Sequence, residues 1–382
     1  MSKAQEKTMR VLKALNFEEP DRVPVGEFFW TLFVERWLKE KGFGPETFIY
    51  DYYDLDYLYV SPDMSPHIKR REIIEQKDHY TTFRTGFESV LKKKDDAPMP
   101  YFEEFGIKSA AEYKDFKFDD PLDERRYTDV REDIINSGDT IATLPSYVET
   151  VSTYQDNFMI VGGVCEPFEY LWRCRGTEGS LMDLALHPDE TEEFINRITE
   201  FNLAVGKKQI EMYGLKVMYV WGDVAYDNGM FISPAMWRKF FYPAVKKLCT
   251  AFHQMGAKVV YHGCGNALDI FEDLIEAGID CYNPLEVKAG LDVVELKKKY
   301  HGKLSFCGNI DVRVLAEGDR KEIESEVVRK LNAAKSGGYI IQSDHSIPFN
   351  VAAESYDYMI ELIRKYGNYP LNLGVYDQGL GI

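Results

Sequence analysis

Residues 257–286 read AKVVYHGCGNALDIFEDLIEAGIDCYNPLE, and this stretch decides the fold. An apolar run at 257–261 is followed by a helical pattern at 268–277, then by Gly278 and a second apolar run at 280–282. A glycine directly after a helical pattern is a common helix stop. Two short apolar runs joined by one helix are typical of a parallel βαβ unit. The stretch therefore predicts an α/β protein with a parallel sheet.

The same alternation continues on both sides of this unit. A helical pattern opens at Ser233 with a proline in its first turn and runs to Gly256, and two others occupy 291–300 and 320–335. Strand-like apolar runs recur at 157–162, 215–221, 257–261, 280–282, 304–307 and 338–341. Repeated strand–helix units with short loops predict a parallel sheet that helices cover.

The number of these units favours a closed barrel. Six consecutive units exceed what a small two-layer domain needs, and 22–28 and 57–60 are candidates for the first strands. A doubly wound open sheet is the alternative, but the sequence lacks a G-x-G-x-x-G motif after a strand and a Walker-type loop. We predict one (β/α)8 TIM-barrel domain over residues 1–382, with an N-terminal helical excursion that includes a hairpin at about 77–94.

Charge and composition exclude several classes of function. The 382 residues include 46 Lys and Arg against 63 Asp and Glu, for a net charge of −17. Such a chain lacks the basic face that binds nucleic acid or an anionic membrane surface. No run approaches the ~20 apolar residues of a membrane span, residues 1–10 lack a signal-peptide core, and the six cysteines are scattered. We therefore expect a cytoplasmic protein with reduced thiols.

Polar side chains follow the predicted strands at the point where each strand ends. The carboxyl ends of barrel strands carry the active site in this fold. We therefore expect the chemistry to lie among these residues, which include Asp223, His262, Cys264, Asn283, Glu286, Asn309, Asp311, Asp344 and His345.

His262 and Cys264 form the sharpest pair among them. Residues two apart at a strand end point to the same side, so an imidazole and a thiol can bind one zinc ion there. A catalytic zinc site needs a third protein ligand, for which His345 is the first candidate and Asp344 the next, as a ligand or as a partner of one. The alternative is a buried histidine and cysteine that only pack in the barrel.

Several acidic residues are further candidates. Asp223 can be a general acid or base, a carboxylate that positions a ligand, or the N-cap of a helix. Glu27, Glu166 and Glu286 end strand-like runs, where a carboxyl group serves either catalysis or structural hydrogen bonding. Tyr226 is a candidate for lining an apolar cavity, and packing in the core explains it equally well.

The order of several short motifs resembles the uroporphyrinogen decarboxylase superfamily. The resemblance covers most of the chain and implies a single (β/α)8 barrel with its active-site cleft at the carboxyl ends of the strands. The motifs are EPDRVP at 19–24, GD at 222–223, MFISP at 230–234, YPAVK at 242–246, HGCG at 262–265, NPLE at 283–286, GNID at 308–311 and GGY at 337–339.

Two branches of this superfamily differ at the N-terminal loop and at the metal ligands. The decarboxylases carry an arginine-rich loop for an octacarboxylate tetrapyrrole, whereas residues 24–30 read PVGEFFW, with Glu27 and no arginine. A carboxylate facing a polyanion is electrostatically unfavourable. The zinc-dependent, corrinoid-linked methyltransferases carry His-x-Cys, as at His262 and Cys264, and a later cysteine, for which this chain has His345.

The resemblance therefore implies a zinc-dependent methyltransferase that moves a methyl group between a small molecule and a corrinoid protein, in a direction that the sequence leaves open. A uroporphyrinogen decarboxylase and a non-catalytic binding barrel are the alternatives, and a homodimer is possible. The assigned residues are His262, Cys264 and His345 as zinc ligands, Asp223, Glu286 and Asp344 as catalytic residues, and Glu27, Glu166 and Tyr226 as substrate-binding residues.

Overall fold

The computed structural model describes residues 1–95, 97, 99–133 and 142–381. Its largest sheet is parallel and curled, and smaller antiparallel sheets lie outside it. Within the described residues the strands, in chain order, are β1 (Tyr57–Tyr59), β2 (Glu72–Lys77), β3 (Tyr80–Arg84), β4 (Val90–Lys94), β5 (Tyr101–Glu104), β6 (Arg131–Asp133), β7 (Ala142–Leu144), β8 (Met159–Cys165), β9 (Val217–Trp221), β10 (Ala225–Tyr226), β11 (Gly229–Met230), β12 (Lys258–His262), β13 (Cys281–Asn283), β14 (Ser305–Ile310) and β15 (Tyr339–Ser343).

Helices connect the strands of the parallel sheet and cover its outer face. Short 3₁₀ turns extend several of them. Within the described residues the α-helices are α1 (Lys3–Leu15), α2 (Thr31–Lys41), α3 (Ile49–Tyr52), α4 (Arg125–Thr128), α5 (Tyr147–Tyr154), α6 (Pro167–Arg175), α7 (Thr177–Leu186), α8 (Pro188–Tyr213), α9 (Pro234–Phe240), α10 (Tyr242–Gln254), α11 (Phe271–Ala277), α12 (Val293–Tyr300), α13 (Val312–Glu317), α14 (Arg320–Lys330) and α15 (Ala353–Tyr366).

The parallel sheet has the strand order β1-β8-β9-β12-β13-β14-β15. The extended segment 23–29 lies between its two edges. Val25 of this segment pairs with Ile341 of β15, and the backbone N–H of Asp56, just before β1, donates to the carbonyl oxygen of Val25 at 2.9 Å. The α/β barrel prediction is confirmed, and each predicted run from residue 157 onward lies within three residues of an observed strand.

The opposite ends of the barrel have different roles. At the amino end of the strands, Val11, Ala14 and Leu15 of α1 pack into one apolar cluster with strand residues such as Val161 and Val217. This helix closes that end of the barrel, because its apolar face covers the inward-pointing side chains. The carboxyl ends of the strands, where residues such as Asp223 and His262 lie, remain for the functional site.

The excursion forms the four-stranded antiparallel sheet β2-β3-β4-β5. The hairpin predicted at about 77–94 corresponds to β3 and β4, which pair along their whole length. This sheet packs on α6: the ring of Phe87 lies 5.1 Å from that of Tyr170, and Ser89 Oγ donates to the Arg173 carbonyl at 2.6 Å. The sheet therefore supports the helix that follows β8. The single-domain prediction for 1–382 includes residues 134–141, which lie outside the described residues.

One helix prediction was wrong in its extent. The helix expected from Ser233 to Gly256 is divided into α9 and α10, with a break at Phe241. Pro243 lies in the first turn of α10, where it has no N–H to continue the hydrogen-bond ladder of α9. The predicted N-cap is present, because Ser233 Oγ accepts the N–H of Met236 at 3.3 Å.

Candidate metal centre

Asp223, His262 and Cys264 meet at the carboxyl ends of two neighbouring strands. Each offers a ligand atom, and these atoms all lie within 4.8 Å of one another. His262 ends β12 and pairs in register with Trp221 of β9, so the loop after β9 brings Asp223 beside it. All three side chains are half-buried. The strand register therefore assembles an imidazole, a thiol and a carboxylate at one point of the barrel mouth.

Asn283 orients the ring of His262. Asn283 Nδ2 donates to the carbonyl of Cys307 at 3.1 Å, so its Oδ1 faces His262 Nδ1 at 2.6 Å and accepts a hydrogen bond. The proton of the neutral imidazole is thereby placed on Nδ1. The lone pair of Nε2 then points toward Cys264 Sγ, 3.9 Å away. A histidine held in this way is ready to bind a metal through Nε2.

Cys264 lies between carboxylates. Its backbone N–H donates to Asp223 Oδ1 at 2.9 Å. Burial raises the pKa of the Cys264 thiol well above its ordinary value, and the nearby carboxylates of Asp223 and Glu286 raise it further. A thiol in such surroundings stays protonated unless a cation lies next to it, because a coordinated metal favours the thiolate.

The donor set fits zinc. Nitrogen, thiolate sulfur and carboxylate oxygen are the ligands that zinc takes in proteins. The 3.9 Å between His262 Nε2 and Cys264 Sγ is close to the ~3.6 Å that Zn–N and Zn–S bonds require at a tetrahedral centre. Three half-buried ligands leave a fourth position for a substrate, as in catalytic zinc sites.

Glu169 of α6 supports this site through the backbone of Asp223. Its Oε2 accepts the backbone N–H of Asp223 at 3.2 Å and the indole N–H of Trp172 at 3.0 Å. Its Oε1 forms an ion pair of 2.6 Å with Arg173. The contact needs a glycine at position 222, because a Cβ on Gly222 would lie 2.4 Å from Glu169 Cβ. Sequence reasoning missed Glu169; its spacing of three and four residues from Trp172 and Arg173 on one helix was the available signal.

A cavity of about 130 Å³ opens beside Asp223, which with His262 and Cys264 forms what we call the metal-binding group. Tyr226 lies at the rim of the cavity with 60% of its surface exposed. Its ring packs edge-on against that of Phe231, with 4.1 Å between the ring centroids. The cavity is walled mainly by aromatic rings, with one carboxylate and the hydroxyls of Thr177 and Tyr226. Its lining residues are Phe168, Trp172, Thr177, Asp223, Tyr226 and Phe231. We call it the aromatic cavity.

Glu286 lies close to the metal-binding group. Its Oε1 accepts the backbone N–H of Gly265 at 3.2 Å, and its Oε2 pairs with Lys288 Nζ at 3.1 Å. Lys288 also pairs with Asp227 at 3.3 Å, and both of these side chains reach solvent. Glu286 therefore connects the surroundings of Cys264 with the protein surface.

Asp344 and His345 have different surroundings from Asp223. Asp344 accepts the backbone N–H groups of Val287 and Val312 at 2.9 and 3.0 Å, and burial raises the pKa of its carboxyl to about 6. His345 Nδ1 lies 3.2 Å from the carbonyl of Ser346. Among the described residues, the group that can hold a metal contains Asp223 and not His345 or Asp344.

Glu27 and Glu166 lie inside the protein. Glu27 accepts hydrogen bonds from the N–H of Phe28 and from the backbone N–H and hydroxyl of Ser343, and burial raises its pKa to about 8. Glu166 caps α6 by accepting the N–H groups of Phe168 and Glu169, and burial raises its pKa to about 8 as well. Neither carboxyl lines the aromatic cavity, whereas Tyr226 does.

Comparison with known proteins identifies relatives of the chain. The family model described as uroporphyrinogen decarboxylase (URO-D) matches residues 100–366. Methylated-thiol–coenzyme M methyltransferase of Methanosarcina mazei is 23% identical over 158 residues, or 37% of this chain and 41% of that protein. A uroporphyrinogen decarboxylase of Thermus thermophilus is 30% identical over 141 residues, 35% of this chain and 38% of that protein. These matches span about two fifths of each relative's length.

A solved structure supports the fold over nearly the whole chain. A methyltransferase from Methanosarcina mazei superposes with a TM-score of 0.64 at 16% identity, covering 94% of this chain and 98% of that one. Within the described residues, no helix is long and apolar enough to cross a membrane. Because the family model covers well over half of the sequence, the chain belongs to the uroporphyrinogen decarboxylase (URO-D) family.

Proposed function

We propose that this protein is a zinc-dependent methyltransferase that moves a methyl group from a small molecule to the cobalt of a corrinoid carried by a partner protein. The observation that carries the proposal is the meeting of Asp223, His262 and Cys264 beside the aromatic cavity. The relation to methylated-thiol–coenzyme M methyltransferase supports the reaction class.

His262, Cys264 and Asp223 would hold the zinc ion. When bound, zinc supplies Lewis acidity that polarises the heteroatom carrying the methyl group. Asn283 keeps the Nε2 lone pair of His262 available, and Glu169 fixes the backbone of Asp223. These contacts hold the ligand atoms in place before the substrate arrives, which lowers the cost of ordering them in the transition state.

The transfer breaks the bond between the methyl carbon and its heteroatom, which keeps the bonding electrons and takes up a proton. The Co(I) corrinoid, as the second substrate, supplies the electron pair for the new carbon–cobalt bond. We assign the proton transfer to Glu286, because it lies beside Cys264 and pairs with the half-exposed Lys288. A carboxyl group so placed can exchange protons with solvent.

The decarboxylase alternative has less support at the site. Residues 24–30 contain no arginine, and Glu27 of this segment is wholly buried. The aromatic cavity has no basic lining residue among the described residues. A polycarboxylate substrate needs cations to replace the water that its carboxylates lose on binding. The geometry therefore favours methyl transfer.

Metal analysis and a methyl-transfer assay test the proposal together. We expect about one zinc per chain and zinc-dependent methylation of cob(I)alamin by a small methylthio compound. Cys264→Ala should lose both the metal and the transfer. Cys249→Ala, which changes a buried cysteine of α10, is the matched control and should keep both.

Three results would overturn the proposal. Full methyl transfer by the Cys264→Ala variant would show that the thiol does not take part. Conversion of uroporphyrinogen to coproporphyrinogen by the wild-type protein would support the decarboxylase instead. A protein that binds no zinc and transfers no methyl group would fit a non-catalytic barrel.

A further inference from the structure

The aromatic cavity lacks a free cation. Among its described lining residues none is basic. The guanidinium of Arg173, beside the lining residue Trp172, is bound to Glu169 at 2.6 Å and stacks on the rings of Trp172 and Trp221 at 5.2 and 5.5 Å. The guanidinium is thus held by a carboxylate and two rings, and an entering anion would have to displace them.

The other nearby cation is also paired. Lys288 contacts two carboxylates, Glu286 at 3.1 Å and Asp227 at 3.3 Å. Among the described residues, no ion pair involves Asp223, the one charged residue of the cavity wall. Carboxylates therefore outnumber cations around the cavity, and the unpaired one faces into it. An anion entering here would lose water without gaining a partner and would meet a like charge.

A bound zinc ion would not reverse this balance. Its two positive charges would be offset by the thiolate of Cys264 and the carboxylate of Asp223, the two anionic members of the metal-binding group. The metal would still accept a neutral heteroatom at its open position. The remaining walls, Phe168, Trp172 and Phe231, offer apolar rings for the body of a ligand.

We propose that the aromatic cavity selects uncharged methyl donors with an apolar body and discriminates against anionic donors of the same size. This inference rests on the proposed methyltransferase function and names its substrate class. It follows from three observations: aromatic walls, no basic residue among the described lining residues, and the engagement of Arg173 and Lys288 by their own carboxylates.

A matched pair of ligands tests the charge selection. 3-(Methylthio)propanamide and 3-(methylthio)propanoate share their shape and differ in charge. We expect the zinc-loaded protein to bind the amide at least about tenfold more tightly, because only the carboxylate gives up its hydration at a wall that offers no free cation. Isothermal titration calorimetry measures both affinities without requiring turnover. Equal or tighter binding of the propanoate would overturn the inference.

A variant of the cavity wall sharpens the test. Thr177 lines the cavity and begins α7, so Thr177→Lys adds a cation there, and Thr177→Gln is an uncharged control with a side chain that is also long and polar. The lysine variant should bind the propanoate about tenfold more tightly than the glutamine variant does, with amide binding changed less than threefold. No gain for the propanoate would show that the donor binds elsewhere and would overturn the inference.

The experiments distinguish a failure of the charge selection from a failure of the proposed function. If the amide binds selectively but no methyl group reaches cob(I)alamin, the charge selection of the cavity stands and the methyltransferase assignment fails. If both donors are demethylated with equal KM, the methyltransferase stands and the charge selection fails. If neither compound binds, the charge selection is overturned, and the metal analysis and transfer assay decide the methyltransferase assignment.

Discussion

The two sides of the barrel mouth hold similar polar residues, which are half-exposed on one side and buried on the other. On the side of β9 and β12, Asp223, His262 and Cys264 lie with their ligand atoms grouped and half-exposed. On the side of β15, the carboxyls of Glu27 and Asp344 are buried and bonded to neighbouring chain segments. Both sets follow or flank strands. A polar side chain whose hydrogen bonds to the protein are already made acts as a structural support. A side chain that keeps a ligand atom free is a candidate for chemistry.

The two aspartates make the comparison concrete. Asp344 uses both carboxylate oxygens to accept backbone N–H groups, from Val287 and Val312, and so ties together the loops that follow β13 and β14. Asp223 accepts one backbone N–H, from Cys264, with Oδ1. Within the described residues, no backbone N–H binds its second oxygen, which leaves that oxygen for a metal or a substrate.

The largest expected effect concerns the third zinc ligand. Asp223→Ala should weaken zinc binding by roughly 100-fold or more, beyond the loss usual for residues that only orient a ligand. His345→Ala should change it by less than about threefold, because His345 lies outside the metal-binding group. Competition with a chelator of known affinity measures both. If His345→Ala weakened zinc binding more than Asp223→Ala, the zinc ligands would be His262, Cys264 and His345, as expected from sequence.

The next effect concerns the orientation of His262. Asn283→Leu removes the acceptor for Nδ1–H, and zinc affinity should fall by about 10- to 100-fold. Asn283→Asp keeps an acceptor at the same place and should retain most of the affinity.

If Asn283 had only a structural role, the Asn283→Leu variant would keep the wild-type tautomer of His262. Nitrogen NMR of the metal-free protein should instead show the proton on Nδ1 in the wild type and a mixture in Asn283→Leu. An unchanged tautomer in the leucine variant would contradict the orienting role.

The last expected effect lies on the β15 side and concerns the free energy of unfolding rather than zinc affinity. Burial raises the pKa of Glu27 from 4.5 to about 8, so between these values the folded state keeps a proton that the unfolded chain has released. Stability should therefore fall as pH rises through this range, by up to about 1.4 kcal/mol per pH unit from this group. Glu27→Gln keeps one acceptor oxygen for Phe28 and the Ser343 hydroxyl and removes the titration.

Urea unfolding at pH 6, 7 and 8 measures this effect. The wild type should lose stability more steeply than Glu27→Gln, although Glu166, whose pKa is also raised to about 8, contributes the same slope to both proteins. Parallel profiles for the two proteins would show that Glu27 is ionised in the folded state, and Glu27 would then join Asp223 as a charged group of the mouth.

Sequence predicted the barrel well because its signals are local. Apolar runs mark β9 and β12 to within two residues, and Gly278 ends α11 in a left-handed conformation as the pattern predicts. His262 and Cys264 were paired by their spacing. The third residue of the metal-binding group was harder to predict, because Asp223 and His345 both follow strands. Only the strand order places Asp223 directly beside β12.

The contact of Glu169 with the backbone of Asp223 could not be predicted from sequence. Glu169 lies inside a helix rather than at a strand end, and its contacts depend on how closely α6 approaches the backbone at Gly222. The buried state of Glu27 likewise depends on Ser343 and Tyr356, which are distant in the chain. Such contacts follow from the packing of whole elements, which no short window of residues contains.

The closure of the barrel by residues 23–29 also has a consequence for folding. Glu27 and Ser343, which meet at this closure, are 316 residues apart in the chain. Contacts between such distant residues slow folding, because a long loop must close before they form. During synthesis, the pairing of the early segment with β15 must wait for that strand to emerge, and until then the β14 edge of the parallel sheet stays open to other chains. The last strand to be made is therefore the one that completes the fold.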